Sequence, residues 1–116
     1  MPRAAFKIVN LELNRPAVPT ALSLLEDALR IARDEKFVAV KLIHGYGSSG
    51  VGGDIRTAVQ KILAQKLNNR EIRAFIAGED WRISNQDTWE LLKRRPDLKQ
   101  DSDLGRANRG ITIVVF

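Results

Sequence analysis

The chain contains no cysteine. That excludes a disulfide scaffold, a thiolate nucleophile and any cysteine-ligated zinc or iron–sulfur centre. It contains one histidine, which excludes a multi-histidine metal site and any mechanism drawing two imidazoles from one chain. No apolar run approaches the ~18 residues needed to cross a bilayer. The opening MPRAAFKIVN lacks the apolar core of a signal peptide. The expectation is a soluble, cytoplasmic protein without a membrane partner.

What is present is ordinary globular composition: 116 residues, 44% hydrophobic and 28% charged. This length suits one domain over 1–116 and buries roughly two-thirds of the unfolded chain's surface. Nineteen basic residues face fourteen acidic ones, a net charge of +5. Nine of the basic and six of the acidic residues lie at or before Gln65, so the excess is spread along the chain and is not a polybasic tail. A moderate positive charge favours polyanions, and it also serves solubility alone.

Apolar patterning predicts an α/β order of β-α-β-α-β-(α)-β. Phe6–Leu13 alternates as a strand, with Ile8, Asn10 and Glu12 on one face and Val9, Leu11 and Leu13 on the other. Pro19 is tolerated in a first helical turn, and Leu22, Leu25, Leu29 and Ala32 recur at helical spacing. A helix over 18–35 follows, with a favourable Glu26–Arg30 pair. Phe37–Ile43 is a near-continuous apolar run that suits a strand covered on both faces. A second amphipathic helix runs over 54–67, stopped at Asn68–Asn69, and Ile72–Ala77 is a third strand. Ser84 opens a capping-box pattern for a short helix to Arg95, residues 97–110 read as a loop, and Ile111–Phe116 is a last strand, antiparallel to its neighbour. Right-handed crossovers with both main helices on one face give a two-layer sandwich with a mixed sheet.

The most informative stretch is strand, glycine loop, helix. Gly45, Gly47, Gly50, Gly52 and Gly53 let backbone approach a ligand, and the loop leads into a helix N-terminus where an anion such as phosphate is favoured. No Gly-Lys-Ser/Thr closes the loop, so it is not a Walker A motif.

His44-Gly45-Tyr46-Gly47, then Gly50 or Gly53, then Ile55-Arg56-x-x-Val59 resembles the H-G-x-G…G-x-[L/I]-R signature of the small MutS-related (Smr) domain. Asn108-Arg109-Gly110-Ile111-Thr112-Ile113-Val114 is similar to that family's closing N-x-G-x-T-x-V strand. The resemblance covers roughly 8–77 and 107–116 and makes 79–106 an insertion. It implies a fold like the C-terminal domain of bacterial translation initiation factor three. It also implies a nucleic-acid-binding domain for DNA or RNA, with nicking or cleaving activity in some members. The family's L-D-x-H-G motif falls on Leu11-Glu12-Leu13-Asn14-Arg15. Asn14 there replaces a histidine and cannot move a proton near neutral pH, so endonuclease activity is expected to be absent or feeble.

Each candidate carries two readings. His44 contacts phosphate or acts as a general acid with Glu12 orienting it, or it only fixes the loop's shape. Arg56 sits against the helix dipole because a phosphate is its partner, or it pairs with an acid such as Asp54. Gly45, Tyr46, Gly47, Gly53, Asn14 and Arg15 complete the candidate phosphate site. Glu12 alone is a thin metal site, and no cofactor is indicated. Trp81 with Arg82, Lys93, Arg94, Arg95, Lys99, Arg106 and Arg109 forms a basic stacking surface, or Trp81 and Trp89 pin the insertion to the core. The alternative function is a protein-interaction module that keeps the fold without binding nucleic acid.

Overall fold

The computed structural model describes residues 6–46 and 51–116, with side chains from residue 53 onward in the second stretch. The elements are β1 (Phe6–Asn10), α1 (Val18–Asp34), β2 (Ala39–Ile43), α2 (Val51–Asn68), β3 (Ala74–Ala77), α3 (Gln86–Arg94) and β4 (Ile111–Val115). Short 3-10 turns at Gly78–Asp80 and Pro96–Gln100 flank α3. The four strands form one mixed sheet in the order β1-β2-β4-β3. β1 and β2 are parallel, with Asn10 opposite Ile43, and β4 runs antiparallel to both β2 and β3. The carboxyl ends of β1, β2 and β3 therefore share one end of the sheet, where β4 begins.

The α/β class, the element order and the mixed sheet with an antiparallel last strand agree with the sequence reading. The two-layer expectation is corrected. α1 and α2 cover one face, packing Leu25, Leu29, Ile55, Val59 and Leu63 against Val40, Leu42 and Val114. The opposite face is covered as well. There Trp81, Leu91, Leu92 and Leu98 close over Ile76, Ile111, Ile113 and Val115. Every residue of β4 is buried, which a sheet with one open face could not provide. Residues 79–106 are thus the third layer and not an appendage.

Local differences have local causes. α2 starts three residues before the expected position, inside the glycines, because first-turn N–H groups need no intrahelical partner and glycine costs little there. It ends at Asn68, where the sequence reading places the stop, but the left-handed residue is not an asparagine. Arg70 takes the left-handed conformation (φ 61°), and Glu71 N–H donates back to the Lys66 carbonyl. Lys36 (φ 64°) ends α1 in the same way, with Phe37 N–H donating to the Ala32 carbonyl. Asn85, not Ser84, caps α3, its Oδ1 accepting from Thr88 N–H at 3.0 Å. Glu26 reaches across to Lys66 of α2 (2.6 Å) and Arg30 pairs with Asp27 (3.4 Å) in place of the Glu26–Arg30 pair.

The third layer is fastened by a charge. Lys41 lies mid-strand in β2, 5% exposed, on the face beneath that layer. Its Nζ pairs with Asp101 at 3.0 Å and with Asp103. Asp101 also accepts from Trp81 Nε1 (3.0 Å), and Asp103 accepts from Asn108 Nδ2 (3.0 Å). Burial alone would lower the Lys41 ammonium, but Asp103 and Asp101 outweigh it and its pKa is raised. Burial alone would raise Asp103, but hydrogen bonds from Lys41 and Asn108 outweigh it and its carboxyl lies below the usual value.

Removing the cation strands two buried carboxylates, so Lys41→Met is expected to cost about 3–5 kcal/mol in urea unfolding. The pH limbs follow from the signs. The raised lysine contributes fully below its ordinary 10.5 and is lost as pH rises through the higher folded value. The depressed aspartate contributes fully above its ordinary 3.8 and is lost as pH falls below it. Lys41→Met should therefore flatten the alkaline limb of stability; a variant as stable as the parent would show that the network does not hold the layer.

Candidate functional site at the strand ends

His44 follows β2 directly and is fully buried. Its Nδ1 lies 2.6 Å from the Gly45 carbonyl and its Nε2 lies 2.8 Å from Thr112 Oγ1. The carbonyl can only accept, so Nδ1 carries the proton and Nε2 accepts from the threonine hydroxyl. Both nitrogens are engaged inside the protein and the ring is neutral. Burial is the main cause of its lowered pKa, with the Arg56 charge adding to it; the Gly45 carbonyl, Glu12 and Glu79 oppose it. In this arrangement His44 shapes the loop and has no nitrogen free for a phosphate or a substrate.

The loop opens with a close approach. Gly45 has φ +70°, and a Cβ there would meet Glu12 Oε2, the mobile end of a side chain that can give way, so it is the left-handed conformation that favours glycine. The N–H groups of His44 (2.9 Å) and Gly45 (3.1 Å) both donate to the Gly110 carbonyl, tying the start of the loop to the turn before β4. Gly47 lies outside the described residues, as do the other residues of 47–50. Tyr46 is 59% exposed. Gly53 is in the first turn of α2, partly buried.

Arg56 is paired neither with Asp54 nor held free. Its Nη2 reaches both carboxylate oxygens of Glu79, at 3.0 and 3.2 Å. Arg109 approaches the same carboxylate at 3.9 Å. Arg56 Nε is buried without a hydrogen-bond partner. Glu79 is thus a residue that sequence reasoning misses at this end, because its sequence neighbours give no sign that it meets α2. Thr112 was missed as well, although it stands in the closing N-x-G-x-T-x-V pattern.

β1 and β2 are neighbours, so Glu12 and His44 do come to one sheet end. Glu12, Leu13, Asn14 and Arg15 line a shallow groove there with Asn10. Asn14 (φ 64°) and Arg15 (φ 49°) are both left-handed and exposed. A second groove is lined by Tyr46, Arg106, Ala107, Asn108, Arg109 and Asp103. Of the two readings of Trp81, the packing one holds: the indole is fully buried, 5.7 Å from the Phe6 ring, and cannot stack on a base, whereas Trp89 is 41% exposed. The exposed aromatic at this end is Tyr46. Among the described residues no three metal-ligating side chains gather, and no helix is long and apolar enough to cross a membrane.

His44 is the chain's single histidine, so its titration can be read alone. With a folded pKa below the ordinary 6.5, its contribution to stability is full above that value and is lost as pH falls toward the folded value. The urea midpoint should drop on acidification below pH ~6.5, and His44→Gln should flatten that limb. An imidazole NMR signal that titrates at or above 6.5 in the native protein would contradict the buried neutral ring.

No protein-family model matches the chain, and neither a curated protein nor a solved structure gives a match.

Proposed function

We propose that the strand-end surface binds the phosphate backbone of nucleic acid, with Tyr46 stacking on a base and Arg106, Arg109 and Arg15 contacting phosphates. The observation that carries this reading is the groove in which an exposed tyrosine lies beside two exposed arginines, next to a glycine-opened loop that leads into a helix N-terminus. Single-stranded nucleic acid is held by that combination of aromatic platform and cations, and strand carboxyl ends are where open α/β sheets take their ligands. The distributed +5 charge agrees with it. Within this reading the domain is Smr-like, similar to the C-terminal domain of translation initiation factor three, and works in the cytoplasm. The left-handed Arg15 supports that alignment, because the motif's glycine would adopt φ 49° at no cost.

His44 serves as a positioning residue, so the activity proposed is binding without His44-driven cleavage. Asn14 replaces the motif histidine, and the His44 ring is sealed by Gly45 and Thr112. No metal or organic cofactor enters the reading. The exposed Ile83 and Trp89 of the third layer favour a protein partner as the second reading.

Binding to single-stranded oligonucleotide should weaken steeply with salt. Arg106→Ala/Arg109→Ala should reduce the slope of log affinity against log salt by about 0.7 per lost contact. Tyr46→Ala should lose about 1–3 kcal/mol of binding. A parent protein with no affinity at low salt would overturn the proposal and leave the protein-partner reading.

Cleavage of labelled DNA or RNA by the parent should stay at background, and Asn14→His is the informative gain-of-function variant. Cutting by the parent that disappears in His44→Ala would overturn the positioning role of His44.

A further inference from the structure

We propose that the opposite end of the sheet is a second phosphate-binding surface, formed by Arg33, Arg70, Arg73 and Arg94 around Phe116, that grips the backbone of a nucleic-acid strand. It goes beyond the strand-end reading and rests on different residues.

The four arginines come from four places in the chain, and three of them, Arg33, Arg73 and Arg94, touch Phe116. The Arg33 guanidinium lies 5.2 Å from the Phe116 ring centroid and donates to the Glu71 carbonyl. Arg73 Nε and Arg94 Nη2 each donate to the Phe116 oxygen at 3.3 Å. Arg70, left-handed at the end of α2, lines a groove of about 570 Å³ with Arg33, Arg73, Glu71, Ile72 and Phe116. All four side chains are exposed.

None of the four forms an ion pair with a side-chain carboxylate among the described residues. Several cations elsewhere in the fold do pair: Lys7 with Glu35, Lys41 with Asp101, Arg56 with Glu79, Lys66 with Glu26 and Arg95 with Asp97. The nearby acids are otherwise engaged or offset. Glu71 is held by Lys66 at 3.6 Å and Glu90 by Lys93 at 3.3 Å. Asp87 lines a neighbouring groove beside Arg73 and Arg94. Burial first, and the neighbouring Arg73 charge second, push Arg94 below the usual guanidinium range.

A purely structural explanation covers part of this. Arg33, Arg70 and Arg94 stand at the C-terminal ends of α1, α2 and α3, where a helix dipole favours a cation by a few tenths of a kcal/mol. That accounts for one cation per helix. The Phe116 oxygen, which accepts from Arg73 and Arg94, explains why those two heads gather, but it leaves four exposed guanidiniums with no side-chain carboxylate among the described residues. An anion that touches several guanidiniums removes the repulsion, and phosphate matches their fork geometry. A repeating polyanion suits the site better than a single carboxylate, because the cations are spread over an open surface with no closed bidentate slot. The five-residue strands put this end about 17 Å from the other, within the molecule's 35 Å length. A strand of nucleic acid can therefore reach both.

The test uses the whole chain and labelled single-stranded oligonucleotides of increasing length across a salt series, with thermal melting to verify folding. Arg70→Ala/Arg73→Ala/Arg94→Ala should cut the salt slope by about 2, at about 0.7 per contact, and weaken binding tenfold or more at moderate salt. It should also abolish the gain in affinity that the parent shows once the oligonucleotide reaches both ends. The corresponding lysine variant, which keeps the charges, should retain most of the slope. If the triple variant does not fold, Arg70→Ala alone should lower the slope by about 0.7. A folded triple variant with parental slope and affinity overturns the proposal, as does one with lower melting temperature and unchanged binding, the result of a dipole role alone. Polyglutamate competing as well as an oligonucleotide of equal charge overturns the nucleic-acid assignment. Loss confined to Arg106→Ala/Arg109→Ala leaves the strand-end site standing and removes this one; loss confined to the Arg70 set does the reverse. A parent that binds nothing at low salt removes both.

Discussion

A lysine in the middle of the central parallel strand cannot stay charged in an apolar layer without partners. Lys41 obtains them from Asp101 and Asp103, sixty residues away, and most of the second face follows from that. Asp101 also receives the indole N–H of Trp81, which sets the largest side chain of that layer. Asp103 receives Asn108, and Asn108 Oδ1 accepts the Gly110 N–H at 2.9 Å. The Gly110 carbonyl in turn takes the N–H groups of His44 and Gly45. A continuous set of hydrogen bonds thus runs from a buried ion cluster to the first residues of the glycine loop. His44 and Gly45 are held from below by the third layer as much as from the side by β2. Gly78 marks how closely these pieces fit, since a Cβ there would overlap the Asn108 carbonyl.

Much of this architecture is legible in the sequence because it follows from period and apolarity. The Val18–Asp34 helix agrees with the apolar spacing and Pro19, and the three parallel strands lie where the apolar runs do. The third layer was legible in principle. Phe37–Ile43 reads as a strand covered on both faces, which is incompatible with two layers, and the contradiction points to the amphipathic 86–94 segment as the missing cover. What could not be read is long-range pairing of charges. Nothing local distinguishes Lys41, flanked by valine and leucine, from a solvent-facing lysine at a strand edge. Nothing local distinguishes Asp101 and Asp103 from the other acids of a polar stretch. Asn85 and Ser84 are both good caps, and only the backbone path decides between them.

The candidate site shows the same division. The sequence identifies His44, Gly45 and Arg56 as unusual, and all three sit at the carboxyl end of β2 or the start of α2. Their roles depend on partners the local pattern does not contain. Thr112 reaches across from β4 to take the second nitrogen of His44, and Glu79 reaches from the turn after β3 to take Arg56. These contacts move charge away from the inner part of the site. Among the residues left facing outward are Tyr46, Arg106, Arg109 and Arg15, all four from loops that periodicity cannot place.

A neutral buried histidine is well suited to hold a loop in this position. Its donor nitrogen meets the carbonyl of the very next residue, which fixes the left-handed turn at Gly45, and its acceptor nitrogen is anchored on an adjacent strand. Protonation would turn Nε2 into a donor, so the Thr112 hydroxyl would have to rotate and accept, and it would place a buried cation beside Arg56. Proton transfer at His44 and a rigid loop are therefore competing uses of the same ring. With both nitrogens of His44 engaged, the balance at this ring lies with holding the turn at Gly45, and backbone fixed in advance loses less entropy when it meets a ligand.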